Sequence, residues 1–305
     1  MHHGQYIDVT EGHSLYFEDL GPKEAIPILF IHGGPGAGFT ETCKIPFDLT
    51  IQRVIFFEQR GAGRSKPFAS IENNTTDHLV ADINRLLDHL SIQQCILYGG
   101  SWGSTLALVY AIRHTHRVLG LVLRGVFLST QKEYDHLFVQ GSQKIFPEAV
   151  EKFLSLVPKE KQNSPLAYYA SMLSSESPET VELFARAFAS FEISISKLDI
   201  NLEHLETFLD QYNYRSLAAI ECHFLSQHCF LEENYIWKHI EKIKHLPTAI
   251  AHGRYDAICA PHIAFELSKQ FSKCCLDFVT AGHSSSDPKL IEALRKATQW
   301  VLQQI

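Results

Sequence analysis

A Gly-Gly-Ser-Trp-Gly segment at residues 99–103 constrains this chain more than any other feature of its sequence. The short apolar run at 95–98 predicts a buried strand, and the stretch from Thr105 onward, rich in Ala and Leu, predicts a helix. A G-x-S-x-G pattern where a strand turns sharply into a helix holds its serine in strained geometry, and glycine neighbours relieve the clash. The Ser101 hydroxyl would stand at a helix N-terminus, where N–H groups favour negative charge. The pattern predicts a nucleophilic serine, with an ordinary serine helix cap as the alternative.

The bulk composition excludes several classes of protein. The 305 residues are 45% hydrophobic and 20% charged with a formal net charge of −7, which is typical of a globular protein and not of one that binds nucleic acid. No apolar run approaches membrane-spanning length and the polar N-terminus lacks a signal-peptide pattern, so we expect a cytoplasmic protein without a membrane segment. The seven cysteines lack paired spacing, which indicates reduced thiols. The 17 histidines form no zinc-binding pattern, and we expect no metal.

Two blocks of alternating strands and helices predict an α/β core, a mostly parallel sheet with helices on both faces. The blocks comprise residues 1–129 and 246–305. The intervening residues 130–245 have a helical pattern interrupted by prolines and contain no convincing buried strand. The sequence therefore predicts one core with an inserted helical cap.

Polar residues follow several of the predicted strands. Asp256 and His283 each come just after a late strand, as Ser101 comes after an earlier one. Such strand ends gather at one edge of a parallel sheet, and the chain order Ser, Asp, His is typical of α/β-hydrolases. A glycine-rich loop at 32–38, also after a buried strand, is similar to the loop that completes an oxyanion hole in that fold.

Over nearly its whole length the chain resembles the proline iminopeptidases, prolyl aminopeptidases of the α/β-hydrolase fold. The most specific segments are His-Gly-Gly-Pro-Gly at 32–36 and Gly-Gly-Ser-Trp-Gly-Ser-Thr at 99–105. Further matching segments are Gln-Arg-Gly-Ala-Gly-Arg-Ser at 59–65, Asn-Asn-Thr-Thr at 73–76, Leu-Arg-Gly-Val-Phe at 123–127, Ile-Phe-Pro at 145–147, Gly-Arg-Tyr-Asp at 253–256 and Ala-Gly-His-Ser at 281–284.

The resemblance implies a serine peptidase that releases proline from peptides with a free N-terminal proline, through an acyl-enzyme and without metal or organic cofactor. It implies Ser101 as nucleophile, His283 as general base and Asp256 as the residue that orients the histidine. It further implies an oxyanion hole and a substrate pocket. Their residues would be the backbone N–H groups of Gly34 and Trp102 for the hole, and Glu192, Glu221, Phe127 and Cys259 for the pocket.

The two glutamates would hold the free amino terminus of the substrate. Independently of the resemblance, Glu221 lies in one i, i+4 row with Leu217 and Leu225, and a carboxylate in an apolar row is costly unless a cation pairs with it. Glu192 lies at the border of an apolar stripe. An ordinary salt bridge or a solvated helix edge is the alternative for both.

Three departures from the family pattern bear on the shape of the proline pocket. Glu58 stands where the family usually has Asp, Phe191 stands where it usually has Trp, and Leu137-Phe138-Val139 replaces a more aromatic stretch. Two other functions stay open from the sequence alone. One is an esterase or other acyl hydrolase with the same triad, which would not require a free amino terminus. The other is a non-enzymatic binding protein on this fold, in which Ser101 would not react with a phosphonylating reagent.

Overall fold

The computed structural model describes residues 4–199, 205, 209 and 213–305. Its centre is an eight-stranded sheet with the strand order β1-β2-β4-β3-β5-β6-β7-β8. The strands are β1 Gln5–Asp8, β2 Ser14–Leu20, β3 Pro27–Ile31, β4 Arg53–Phe57, β5 Cys95–Gly100, β6 Val118–Arg124, β7 Thr248–Gly253 and β8 Cys274–Val279. β1 and β2 form an antiparallel edge hairpin, β2 pairs antiparallel with β4, and the remaining pairs are parallel. The predicted α/β fold class is confirmed.

Two apolar clusters cover the two faces of this sheet. Along β3, Leu29 and Ile31 face one cluster and Ile28 and Phe30 face the other, because successive strand residues point to opposite sides. A strand buried on both faces must therefore be apolar throughout, which explains the continuous hydrophobic runs. The core helices are α1 Thr76–His89, α2 Trp102–Arg113, α9 Pro261–Ser268 and α10 Pro288–Leu302.

The chain between β6 and β7 is helical wherever the structure describes regular elements in it. Its helices are α3 Gln131–Asp135, α4 Pro147–Leu154, α5 Pro165–Leu173, α6 Pro178–Ser196, α7 Tyr214–Ser226 and α8 Tyr235–His239. The long helix α6 begins with proline at its first helical position, and the Ser177 side chain accepts the Thr180 N–H at 3.2 Å. The division of core from cap at residues 130 and 245 stays a prediction.

Aromatic rings surround two of the three positions at which the chain departs from the family pattern. Phe191 is buried, with its ring centroid 4.6 Å from that of Phe153 and 6.2 Å from that of Phe138. Phe138 belongs to a single π-helical turn, His136–Gln140, in which Val139 is exposed. Both phenylalanines are therefore part of the buried apolar cluster that also covers one face of the sheet.

None of the helices among the described residues has the length and apolar content that crossing a membrane requires.

The third departure, Glu58, is buried beneath the glycine-rich loop. Its carboxylate accepts hydrogen bonds from the Phe39 N–H at 3.3 Å and from the Arg64 guanidinium at 2.7 Å. A Cβ at Gly63 would lie 2.5 Å from this carboxylate, so the longer acid fits only because a glycine faces it. Glu58 thus ties the end of the 32–38 loop to the segment after β4.

Candidate active site

Ser101 occupies the sharp turn between β5 and α2, as its sequence context predicts. Its backbone has φ 58° and ψ −129°, and its side chain makes no capping hydrogen bond to the helix. A Cβ at Gly99 would lie 2.1 Å from the Gly103 carbonyl oxygen, and a Cβ at Gly103 would lie 2.1 Å from the Ile31 carbonyl oxygen. Only glycine lets the strand and the helix cross this closely. The simple helix-cap alternative for Ser101 is therefore not what the geometry displays.

Asp256 and His283 meet beyond the ends of β7 and β8. The His283 Nδ1 lies 2.8 Å from Asp256 Oδ2, while Asp256 Oδ1 accepts the N–H groups of Ile258 and Cys259 at 3.0 and 2.8 Å. Burial by itself would raise the pKa of Asp256, but the His283 ring and the Cys259 N–H hold it below its usual range. Asp256 is thus a carboxylate that accepts three hydrogen bonds.

Arg124, to which the sequence analysis assigned no role, contacts the histidine on its other side. Its Nη1 lies 3.2 Å from His283 Nε2 and donates to the His283 carbonyl oxygen at 2.8 Å. Because a guanidinium can only donate, Nε2 is an acceptor, and the ring proton must be on Nδ1, toward Asp256. This is the tautomer in which Nε2 can take a proton from a hydroxyl. An arginine at the C-terminal end of a buried strand was the available sequence signal.

The predicted oxyanion-hole groups lie on either side of Ser101. A Cβ at Gly33 would lie 3.2 Å from the Ser101 Cβ, so the loop approaches the nucleophile through a glycine. Gly34 has φ +101°, a conformation that other residues rarely adopt. Within the part of the chain that the structure describes, the N–H groups of Gly34 and Trp102 have no protein acceptor. Trp102 is the first residue of α2, whose first N–H groups have no partner inside the helix.

A cavity of about 310 Å³ extends from these groups to α6 and α7. Gly34, Ser101, Glu192 and His283 are among the residues that line it. The other predicted site residues lie behind this lining. Asp256 contacts it through His283, and Cys259 through a hydrogen bond with Ser101.

Phe127, like Glu221 and Cys259, is a predicted pocket residue that does not line this cavity. It lies apart from the lining in the described chain, with its backbone N–H and carbonyl bonded to Ser104 and Thr105 of α2. The aromatic wall that the family resemblance implies for the proline ring therefore stays a prediction for Phe127.

Glu192 on α6 and Glu221 on α7 form a buried pair of carboxyl groups. They are hydrogen-bonded to each other, and Oε2 of each is buried without a protein partner among the described residues. Burial raises the pKa of both, and the neighbouring carboxylate raises that of Glu221 further, whereas His283 and Arg124 partly offset the rise at Glu192. Within the described ranges neither carboxyl forms an ion pair with a lysine or arginine, so the salt-bridge alternative finds no support there.

The last turn of α6 is bonded directly to the loop that carries the histidine. The Ser196 carbonyl accepts the N–H groups of His283 and Ser284 at 2.8 and 2.9 Å. A Cβ at Gly282 would lie 2.8 Å from the same carbonyl oxygen, which explains the glycine before His283. The helix that supplies Glu192 thus ends on the backbone of His283.

Three buried side chains could in principle offer ligands to a metal ion. Asp256, Cys259 and His283 have donor atoms that all lie within 4.8 Å of one another. Burial, followed by the charge of Asp256, holds the pKa of the Cys259 thiol well above its usual range, which disfavours the thiolate that a metal requires. Their arrangement is better described as an Asp–His pair with a neutral thiol beside it.

Comparisons with known proteins identify the fold and the family of the chain. The sequence model of the alpha/beta hydrolase fold matches residues 26–290. The chain is 39% identical over 303 residues to a proline iminopeptidase of Neisseria meningitidis, covering 98% of this chain and 96% of that protein. It is 38% identical over 296 residues to a proline iminopeptidase of Arabidopsis thaliana, covering 96% and 78%.

Among solved structures, the fold is similar to an esterase of Exiguobacterium antarcticum, with a TM-score of 0.67, 19% identity, and coverage of 98% of this chain and 100% of that one. At this level of identity the similarity supports the fold alone. The sequence relatives, by contrast, are 38–39% identical and match the chain nearly from end to end. The chain therefore belongs to the proline iminopeptidase family of the α/β-hydrolase fold.

Proposed function

We propose that this protein is a serine aminopeptidase that releases N-terminal proline from peptides. The observation that carries the proposal is one cavity in which Ser101 and His283 face Glu192, whose carboxyl group is paired with that of Glu221. Ser101 and His283 are suited to acyl transfer. A carboxyl pair that forms no ion pair with a lysine or arginine of the described residues is suited to bind an ammonium group. Together they select the first peptide bond of a chain with a free N-terminus.

In the proposed reaction His283 Nε2 takes the Ser101 proton while Oγ attacks the carbonyl of the first residue. The resulting oxyanion binds the N–H groups of Gly34 and Trp102. His283 then protonates the leaving amine, and water hydrolyses the acyl-enzyme by the same route. In the free protein Arg124 donates to Nε2, so the serine hydroxyl must replace this contact when substrate binds. Catalytic hydrogen bonds of this kind commonly tighten only in the complex. No step uses a metal or an organic cofactor.

The number of free oxygens in the carboxyl pair matches the number of N–H donors on the substrate's ammonium. A hydrogen bond between two carboxyl groups requires that one of them hold a proton. An N-terminal proline has a secondary ammonium with two N–H donors, and the pair offers two buried, unpartnered oxygens, Oε2 of Glu192 and of Glu221. Binding would release the shared proton to solvent, so that both carboxylates accept hydrogen bonds from the ammonium.

We also propose that the helices of 130–245 act as a cap that closes the site beyond the first residue.

We further propose a cytoplasmic location for the protein. All seven cysteines are free thiols, and the adjacent Cys274 and Cys275 are both partly exposed. Free thiols in this number are typical of a reducing compartment.

A panel of aminoacyl anilides, free and N-acetylated, tests the proposed activity. We expect prolyl anilide to be hydrolysed and N-acetylprolyl anilide to react at least about thirtyfold more slowly in kcat/KM, because acetylation removes the charge that a buried carboxylate pairs with. Similar rates for the two, within about threefold, would contradict the aminopeptidase and favour an acyl hydrolase indifferent to the amino group.

The same carboxyl pair should also make kcat/KM for prolyl anilide depend on pH. Because burial raises the pKa of Glu192 and Glu221, the pair becomes fully protonated, and loses its negative charge, at a higher pH than exposed carboxylates do. We therefore expect kcat/KM for prolyl anilide to fall on acidification relative to that for an ester without an amino group. Both substrates depend on His283, so their ratio isolates the pair, whose other neighbours are Arg124 and the thiols of Cys222 and Cys229. A ratio that stays constant into the ordinary carboxyl range would contradict this assignment.

A further inference from the structure

The glycines that bring the 32–38 loop close to Ser101 also leave its peptide groups free to rotate. Gly33 and Gly34 have no side chains, and a rotation of the peptide between them would replace the Gly34 N–H by the Gly33 carbonyl oxygen at the nucleophile. A carbonyl oxygen there would repel the oxyanion that the N–H stabilises. A working oxyanion hole therefore needs something that fixes the orientation of this peptide.

His32 supplies a hydrogen bond that fixes it. Its Nδ1 lies 2.9 Å from the Gly33 carbonyl oxygen, and its Nε2 lies 3.0 Å from the backbone nitrogen of Gln59. A backbone N–H can only donate, so Nε2 is the acceptor and Nδ1 carries the proton that binds the Gly33 oxygen. Burial lowers the pKa of His32, which keeps the ring neutral and this tautomer in place.

The consequence for Gly34 follows from peptide geometry. In a planar trans peptide the C=O of one residue and the N–H of the next point in opposite directions. By holding the Gly33 oxygen, His32 directs the Gly34 N–H the other way. The Gly34 N–H lacks a protein acceptor among the described residues, as an oxyanion donor should.

Gln59 connects this arrangement to the second half of the hole. Its side-chain Nε2 donates to the His32 carbonyl oxygen at 2.9 Å, and its Oε1 accepts the Trp102 indole N–H at 2.8 Å. His32 and Gln59 are each 2% exposed and Trp102 is fully buried, so these bonds form away from water, where an unmade one is expensive. The Gln59 side chain thus bonds both to His32, which orients the Gly34 N–H, and to Trp102, whose backbone N–H is the second donor.

We propose that His32 and Gln59 are positioning residues that hold the Gly34 and Trp102 N–H groups in register as one oxyanion hole. The inference rests on the proposed function in one respect, that these two N–H groups bind the oxyanion. His32 and Gln59 themselves do not touch the substrate. They act on the transition state through the orientation of the Gly33–Gly34 peptide.

Two amide substitutions at position 32 test the roles of the two ring nitrogens separately. In His32→Asn the side-chain nitrogen lies as many bonds from Cα as Nδ1 and can still donate to the Gly33 oxygen. In His32→Gln the amide reaches the Nε2 position and leaves that oxygen without its donor. Losing one oxyanion donor typically lowers kcat about a hundredfold or more. We expect a loss of this size for His32→Gln, and for His32→Asn a kcat within about tenfold of wild type and a lower thermal midpoint.

Two inhibitors distinguish lost positioning from general damage. The L-prolinal carbonyl carbon can bond to Ser101 Oγ, its π electrons moving to oxygen and the serine proton to His283. L-prolinol has the same ring and ammonium but forms no such adduct. In His32→Gln we expect prolinal affinity to fall by about the same factor as kcat and prolinol affinity to change by less than about threefold. Equal losses for both inhibitors, equal losses in the Asn and Gln variants, or a kcat within about threefold of wild type would overturn the proposal.

Gln59→Glu tests the positioning role if His32→Gln does not fold. This change keeps an oxygen for the Trp102 indole but places a carboxylate oxygen against the His32 carbonyl. We expect prolinal affinity to fall at least about tenfold with prolinol affinity retained, and an unchanged prolinal affinity would overturn the proposal. If the wild type cleaves p-nitrophenyl acetate but no prolyl anilide, the proposed specificity has failed. The variants His32→Asn and His32→Gln are then compared by their kcat for the ester.

Discussion

Ser101→Ala should lower kcat for prolyl anilide at least about a thousandfold while leaving the protein folded. The Ser101 side chain makes no capping bond to α2, and alanine at φ 58° has the same Cβ strain as serine, so the turn loses only its reactive oxygen. The measurements are kcat and the midpoint of thermal unfolding. A variant that kept about a tenth of the wild-type kcat would remove Ser101 as the nucleophile.

His283→Ala in the Ser101→Ala background supplies the control for this prediction. Residues that act as one catalytic unit lose their effect together, so the second change should lower kcat by less than about threefold further. Losses that multiply would mean that His283 and Ser101 act independently. Alanine keeps the backbone carbonyl that accepts the Arg124 hydrogen bond, so the loop keeps this contact and the comparison reports on the imidazole base.

Glu221→Gln should lower kcat/KM for prolyl anilide by roughly thirtyfold to several thousandfold. The range corresponds to about 2–5 kcal/mol for breaking a buried charge pair, at about 1.4 kcal/mol per tenfold change. Glutamine keeps the shape of the buried side chain and can still donate to Glu192, so no cavity opens. Unlike Glu221, it cannot release a proton and become a second carboxylate when the ammonium binds. An ester without an amino group should change by less than about threefold.

The ratio of the two substrate effects decides the role of Glu221. Damage to the fold would lower both rates together, and equal losses would make Glu221 structural. Glu182→Gln is a matched control, because Glu182 is a carboxylate on α6 that pairs with Arg215 at 2.8 Å and lies outside the cavity lining. We expect it to leave the ratio unchanged.

The turn that holds Ser101 was predictable because residues next to it in the sequence determine its shape. The turn at Ser101 follows from glycines whose absent side chains let two elements cross, and these are visible in five consecutive letters of sequence. The parallel sheet was equally predictable, since uninterrupted apolar strands alternating with helices have few other ways to bury both faces.

The contacts that complete the site depend on distances between elements, which a pattern does not contain. Arg124 reaches His283 because β6 lies beside β5 with Gly100 opposite Arg124, and because the loop after β8 returns to that point. Glu192 and Glu221 were each placed on a helix face, but their hydrogen bond depends on how α6 crosses α7. The bond from His32 to Gly33 joins neighbouring residues, yet its direction depends on the Gln59 backbone beyond β4.

The two backbone hydrogen bonds to the Ser196 carbonyl attach the end of α6 to the loop that carries His283. A hinged lid that swung α6 away from the sheet would break both bonds and release the loop that presents the histidine. We therefore expect α6 to stay in place during turnover, and peptides to enter and leave past another part of the cavity rim.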